Sequence, residues 1–159
     1  MRLWPDDWEA FRDVRLRSLA DSPAAFRSRY DEWAAAPEQR WRSRLTDVPL
    51  TVLARAVGGE TVGVVSGVPD GEESVELISM WVAPVARGTG VAAALIDAVV
   101  EWAVEQRRSA YLMVRSDNTR AITTYESAGF VDRGVPDDWP ADEPAEKLME
   151  HRPDRGGDD

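Results

Sequence analysis

The sequence predicts a mixed α+β fold, with a mainly antiparallel central sheet and flanking helices. Three observations predict it. Strand-like runs follow one another between residues 50 and 83, separated only by Gly58-Gly59 and Pro69-Asp70-Gly71. A strongly amphipathic run, residues 91–105, follows a glycine-rich turn. A strand, a helix and further strands then alternate to residue 151. Successive hairpin strands beside separate helices argue against a repeated βαβ array.

Residues 2–4 read as a short first strand. Pro5 stands where a helix begins, and Asp6 and Asp7 suit the positive end of its dipole. Trp8, Phe11, Val14, Arg15, Leu16 and Leu19 then form a helical stripe to about residue 20. Asp21-Ser22-Pro23 breaks that helix and caps a second helical segment, residues 24–35. Pro37 restarts a short third one, residues 38–45. Residues 50–57 and 61–68 alternate as strands around Gly58-Gly59 and read as a hairpin. Residues 74–83 form the next strand. Val91, Ala94, Leu95, Ala98, Val99 and Trp102 recur at helical spacing, the clearest helix of the chain. Residues 110–114 read as a strand. Residues 118–128 read as a helix, with Asp117 or Asn118 as cap and Gly129 as stop. Residues 130–133 start a strand, residues 135–144 form a Pro- and Asp-rich loop, and residues 146–151 make a last strand.

The chain has 159 residues, which predicts one domain, here residues 1–152, with a frayed tail at residues 153–159. It contains no cysteine, which excludes thiolate metal sites, disulfides and cysteine nucleophiles. No metal is expected. Net charge is −10, a field that repels nucleic acid and anionic membrane and favours cationic small molecules. No run of about 18 apolar residues suggests a membrane span. The N-terminus lacks a basic region followed by an apolar one, so no signal peptide is expected. The expected location is the cytoplasm.

Arg87-Gly88-Thr89-Gly90-Val91-Ala92 is the most informative stretch. It lies between a strand and a helix start, where outward N–H groups and glycines let a phosphate approach the backbone. A P-loop requires a lysine after the last glycine, and none follows Gly90. Gly88-Thr89-Gly90-Val91-Ala92-Ala93 spells a dinucleotide fingerprint, but such a fingerprint opens a first βαβ unit, and this one follows antiparallel strands.

The turn resembles the [Gln/Arg]-x-x-Gly-x-[Gly/Ala] motif of the GNAT acetyltransferase superfamily, with Arg87 first and Ala92 last. Ile78-Ser79-Met80-Trp81-Val82-Ala83-Pro84 is similar to the strand and Val-x-Pro exit that precede it. Asn118, Ala121, Tyr125, Gly129 and Phe130 match a second segment of that family, Asn-x-x-Ala-x-x-x-Tyr-x-x-x-Gly-Phe. Both lie in the right order, between residues 75 and 130.

The resemblance implies the acyl-CoA N-acyltransferase (GNAT) fold and acetyl-CoA as co-substrate. Arg87, Gly88, Thr89, Gly90, Val91, Ala92 and Ala93 would hold the pyrophosphate. Met80, Trp81 and Val82 would pair with the pantetheine amides where neighbouring strands splay, and a β-bulge there would supply an unpaired N–H for the thioester oxygen. Asn118 would contact the cofactor arm or cap its helix. Tyr125 would be the general acid toward the thiolate. Some family members place a glutamate five residues before the asparagine; here that position is Met113. Glu76 or Glu32 is then the candidate base or substrate-orienting carboxylate, while His151 is expected to be a packed or exposed histidine. Trp81 either lines the acceptor pocket or packs in the core. Trp33 and Trp41 could form an aromatic wall for a cationic amine. The implied reaction is N-acetylation of a primary amine, either a small cationic amine or a protein N-terminus or lysine. A non-catalytic acyl-CoA-binding or sensor domain is the alternative, and another acyl group in place of acetyl is open. A homodimer is common in the family.

Overall fold

The computed structural model describes residues 1–26 and 28–152. The expected tail at residues 153–159 lies outside the described residues, as does Arg27 within the expected second helical segment. The helices are α1 (Trp8–Asp21), α2 (Tyr30–Ala34), α3 (Glu38–Asp47), α4 (Val91–Glu105) and α5 (Thr119–Ser127). The strands are β1 (Leu50–Arg55), β2 (Thr61–Asp70), β3 (Ser74–Val82), β4 (Ser109–Arg115), β5 (Phe130–Asp132) and β6 (Glu146–His151). They form a six-stranded sheet in the order β1-β2-β3-β4-β6-β5. The sheet is mixed: β3 and β4 are parallel, while β1–β2, β4–β6 and β5–β6 are antiparallel.

Two local departures from expectation have clear causes. The helix expected from Pro5 begins at Trp8, because Pro5–Asp7 is a 3-10 turn closed by the Trp4 N–H on the Asp7 carboxylate at 2.8 Å. The second helical segment divides into a 3-10 turn, Pro23–Ala25, and α2, since Phe26 and Arg29 are extended. The Phe26 ring lies under the Arg15 guanidinium, 4.6 Å away. The first strand reduces to a bridge of Arg2 to Val52.

The chain divides into two compact units. The first holds residues 1–68 and 77–99. Its core gathers Leu3, Phe11, Val14, Trp41, Leu45, Leu53, Val62, Val64 and Trp81. Gly63 of β2 sets how closely α4 approaches the sheet. A Cβ there would lie 2.9 Å from Leu95 Cδ1 and 3.2 Å from the Trp81 carbonyl oxygen and Val91 Cγ1. The second unit holds residues 69–76 and those from Val100 on. In it β4 pairs with β3 through Ser74, Val75 and Glu76, and with β6 from Tyr111 to Arg115. Ala110, Leu112 and Val114 of β4 are buried in alternation, the period of a strand with one covered face.

Candidate active site

In the first unit, β3 runs into a 3-10 turn, Pro84–Ala86, and then into the glycine turn. Gly88 and Gly90 adopt φ of +80° and +89°, a region costly to any residue with a Cβ. A Cβ at either position would meet nothing within 4 Å. The turn is therefore held open on the side the glycines face. Helical bonding starts where the Ala94 N–H donates to the Gly90 carbonyl at 3.2 Å. The N–H groups of Val91, Ala92 and Ala93 consequently have no intrahelical acceptor. This cradle suits a pyrophosphate on chemical grounds, with backbone donors and the positive end of α4 together.

Two expected pyrophosphate contacts have other partners. Thr89 donates its N–H to the Ala86 carbonyl at 3.3 Å, and its hydroxyl donates to the same oxygen. Arg87 donates Nε to the Val82 carbonyl at 3.0 Å and Nη2 to Asp21 Oδ2 at 2.9 Å. These side chains shape the turn. The Val82 carbonyl, which the family resemblance assigns to a pantetheine-binding edge, already accepts this bond.

Asp21, read from sequence only as a helix breaker, is the hub of the turn. Its Oδ2 accepts from Trp81 Nε1 at 3.0 Å, Ser22 Oγ at 2.8 Å and Arg87. These bonds, that from Trp81 foremost, hold its carboxyl below the usual range. Trp81 is buried, so it packs in the core and anchors the turn through its indole N–H.

Ser79 adopts φ +56° inside β3, a local irregularity one residue before Met80. Its hydroxyl accepts from Arg44 Nη2 at 3.2 Å, and the same nitrogen donates to Ser66 Oγ at 3.3 Å. Sequence reasoning missed Arg44. The visible signal was Arg15, a charged residue inside the apolar stripe of α1.

The expected aromatic wall is revised. Trp41 is 0 % exposed and makes an edge contact with Phe11, so it offers no face to a ligand. Trp33 is half-buried and packs on Trp41 with ring centroids 4.8 Å apart, and Arg40 lies over its ring at 4.3 Å. Glu32 is exposed on α2.

In the second unit, Asn118 caps α5, its Oδ1 accepting from the Ala121 N–H at 3.2 Å. Tyr125 is buried on α5, its ring set edge-on to Phe130. Burial pushes its phenol well above the ordinary value. His151 packs against Phe130, centroids 5.2 Å apart. Glu76 of β3 lies opposite Tyr111 in the ladder, and Met113 is paired with Leu148. Tyr111 donates to Asp70 Oδ2 at 2.6 Å. Among the described residues no cluster of His, Asp and Glu could hold a metal ion, and no helix is long and apolar enough to cross a membrane.

A model of the acetyltransferase (GNAT) family matches residues 8–130. The chain belongs to the GNAT acetyltransferase family. Solved GNAT structures share its fold. An acetyltransferase of this family from Streptococcus pneumoniae superposes with a TM-score of 0.75 at 18% identity, covering 94% of this chain and 96% of that one. A phosphinothricin acetyltransferase from Sinorhizobium meliloti, in complex with acetyl-CoA, gives 0.73 at 16% identity, over 95% and 85% of the two chains. A spermidine N-acetyltransferase from Vibrio cholerae gives 0.68 at 19% identity, over 95% and 92%. At these identities the likeness is one of fold. Among curated proteins no match is found.

Proposed function

We propose that this protein is an acetyl-CoA-dependent N-acetyltransferase that acts on a primary amine by direct attack in a ternary complex. The observation that carries the reading is the open cradle at Gly88 and Gly90, at the head of the 15-residue α4. It supports a donor with a pyrophosphate, and family membership makes that donor an acyl-CoA. In this reading one GNAT domain spans residues 1–152. The backbone N–H groups of Gly88, Gly90, Val91, Ala92 and Ala93 hold the pyrophosphate, while Arg87 and Thr89 keep the turn in shape. The edge at Met80 and Trp81 receives the pantetheine amides.

The amine nitrogen attacks the thioester carbonyl carbon. The C–N bond forms, the C–S bond breaks, and the thiolate takes the proton of Tyr125, which is restored from solvent. The surplus proton of the amine passes to solvent through Glu76, directly or by way of water. A phenol whose ionisation is pushed upward stays protonated across the neutral range, so the acid is in its donating form. Glu32 and Trp33 are proposed to orient the acceptor. By their names, relatives of this fold act on spermidine and on phosphinothricin, so the acceptor of this chain must be sought in its own residues.

Calorimetry with acetyl-CoA, NAD and ATP tests the donor. Acetyl-CoA is expected to bind and the other two to give no heat beyond dilution. Tight NAD binding without acetyl-CoA binding would overturn the reading.

A further inference from the structure

In the α1–α3 layer of the first unit, Arg15 is buried and Arg44 is half-buried. Arg15 is 6 % exposed. Its Nη1 is buried and has no hydrogen-bond partner. Arg44 has one such atom as well: Nη2 is held by Ser66 and Ser79, while Nη1 is buried and has no partner in the protein. Among the described residues no carboxylate forms an ion pair with either guanidinium. Burial, and for Arg15 also the charge of Arg44, pushes both down to about 10.

Such an arrangement is costly. A buried charge without a partner is strongly destabilising, because its desolvation is not repaid. Aromatic contacts, Arg15 over Phe26 and Arg44 over Phe11, offset only part of that. They also leave the edge nitrogens unsatisfied. Strongly perturbed buried groups cluster at functional sites. Arg44 is moreover bonded to Ser79, one residue before Met80, on the strand proposed to receive the pantetheine arm.

We infer that Arg15 and Arg44 form an anion subsite that receives a carboxylate of the acceptor, so that the substrate is an amino carboxylate rather than a plain cationic amine. The inference rests on the acetyltransferase reading and adds the acceptor class to it. Charge-assisted bonds from the two orphan nitrogens would satisfy the two oxygens of a carboxylate, whereas a phosphate presents a third oxygen that needs a further donor. The overall charge of −10 favours cations only at long range; at a buried site the local positive pair decides. Serine hydroxyls from β2 and β3 fix Arg44 before a ligand arrives, so little side-chain freedom is lost on binding.

The test uses matched probes: free L-amino acids, their decarboxylated amines, and the corresponding amino-alkyl phosphates. Each is assayed for thiol release from acetyl-CoA and for thermal stabilisation of the CoA-bound protein, in the wild type and in Arg15→Met and Arg44→Met. At least one amino acid should be preferred over its decarboxylated twin on the order of 100-fold in kcat/KM, the scale of an unpaired buried charge site. Its phosphate analogue should be a poorer acceptor. Both substitutions should bring the ratio near unity, leave acetyl-CoA affinity within about twofold, and leave Tm unchanged or raised, since an apolar residue replaces an uncompensated charge. Three outcomes overturn the inference: no carboxylated probe is preferred in turnover or stabilisation, phosphates are preferred, or the preference survives both substitutions. A fall in Tm with an unchanged ratio likewise assigns the arginines to packing alone. Acetyl-CoA affinity is read separately. If it is absent, the acetyltransferase reading fails; if it is present with an indifferent ratio, only the anion subsite fails.

Discussion

Asp21 and Arg87 are joined by a 2.9 Å ion pair, and the same carboxylate oxygen accepts the Trp81 indole N–H at 3.0 Å. The end of α1, the end of β3 and the glycine turn are thus pinned at one atom. Asp21→Ala leaves the Trp81 donor unpaired and frees Arg87 Nη2, while Arg87 Nε keeps the Val82 carbonyl. The expected loss is about 1–3 kcal/mol of stability, read by denaturant melts, with acetyl-CoA affinity weakened roughly tenfold.

The same carboxyl gives a pH prediction. Its folded pKa lies below the unfolded value, so its contribution is complete above about pH 4 and is lost as pH falls through the folded value. The stability difference between wild type and Asp21→Asn should be flat from about pH 5 to 8 and shrink below about pH 4. A difference that grows on acidification contradicts this.

Gly88→Ala and Gly90→Ala separate conformation from sterics. Nothing within 4 Å would meet either new methyl, so the penalty comes from φ of +80° and +89°. It should be about 1–2 kcal/mol per site. Acetyl-CoA binding should weaken more than stability falls, because the methyl also enters the open side of the cradle. Calorimetry and thermal melts on the same samples compare the two.

Gly63→Ala acts in the opposite way. Here the new methyl would lie 2.9 Å from Leu95 Cδ1 and 3.2 Å from a backbone oxygen. Overpacking of this kind costs about 1–3 kcal/mol and lifts the first turn of α4 off the sheet. Lower Tm together with weaker acetyl-CoA binding is expected; a neutral effect on both contradicts the close packing of α4.

Tyr125→Phe keeps the edge contact with Phe130 and removes the proton donor. A fall in kcat of about 100-fold or more, with acetyl-CoA affinity retained, is the expected signature. Because burial raises the phenol's pKa, no loss of rate from its ionisation should appear in the wild type below about pH 10. Unchanged turnover removes Tyr125 from the acid role.

Legibility of the sequence varied with the range of the interactions involved. The helix at residues 91–105 is legible to both ends because its apolar spacing and the preceding glycines are local signals. The Asn118 cap is local too, three residues from its partner. Asp21 is not legible, since its donors Trp81 and Arg87 are 60 and 66 residues away. The segment at residues 24–35 has a helical composition, yet the extended backbone at Phe26 and Arg29 divides it, with the Phe26 ring under Arg15. Trp41 and Trp33 look alike in sequence; only packing distinguishes a core ring from a half-buried one. Arg15 announces itself as a charge in an apolar stripe, but its lack of a partner is a tertiary fact.

The most direct measurement of the central claim is product analysis after incubating the purified protein with acetyl-CoA and a broad panel of primary amines. An acetamide and free CoA thiol are expected in equal amounts, dependent on one class of amine and abolished by leaving the amine out. Bound acetyl-CoA with no amine-dependent thiol release across the panel would contradict that claim and favour a binding or sensor domain.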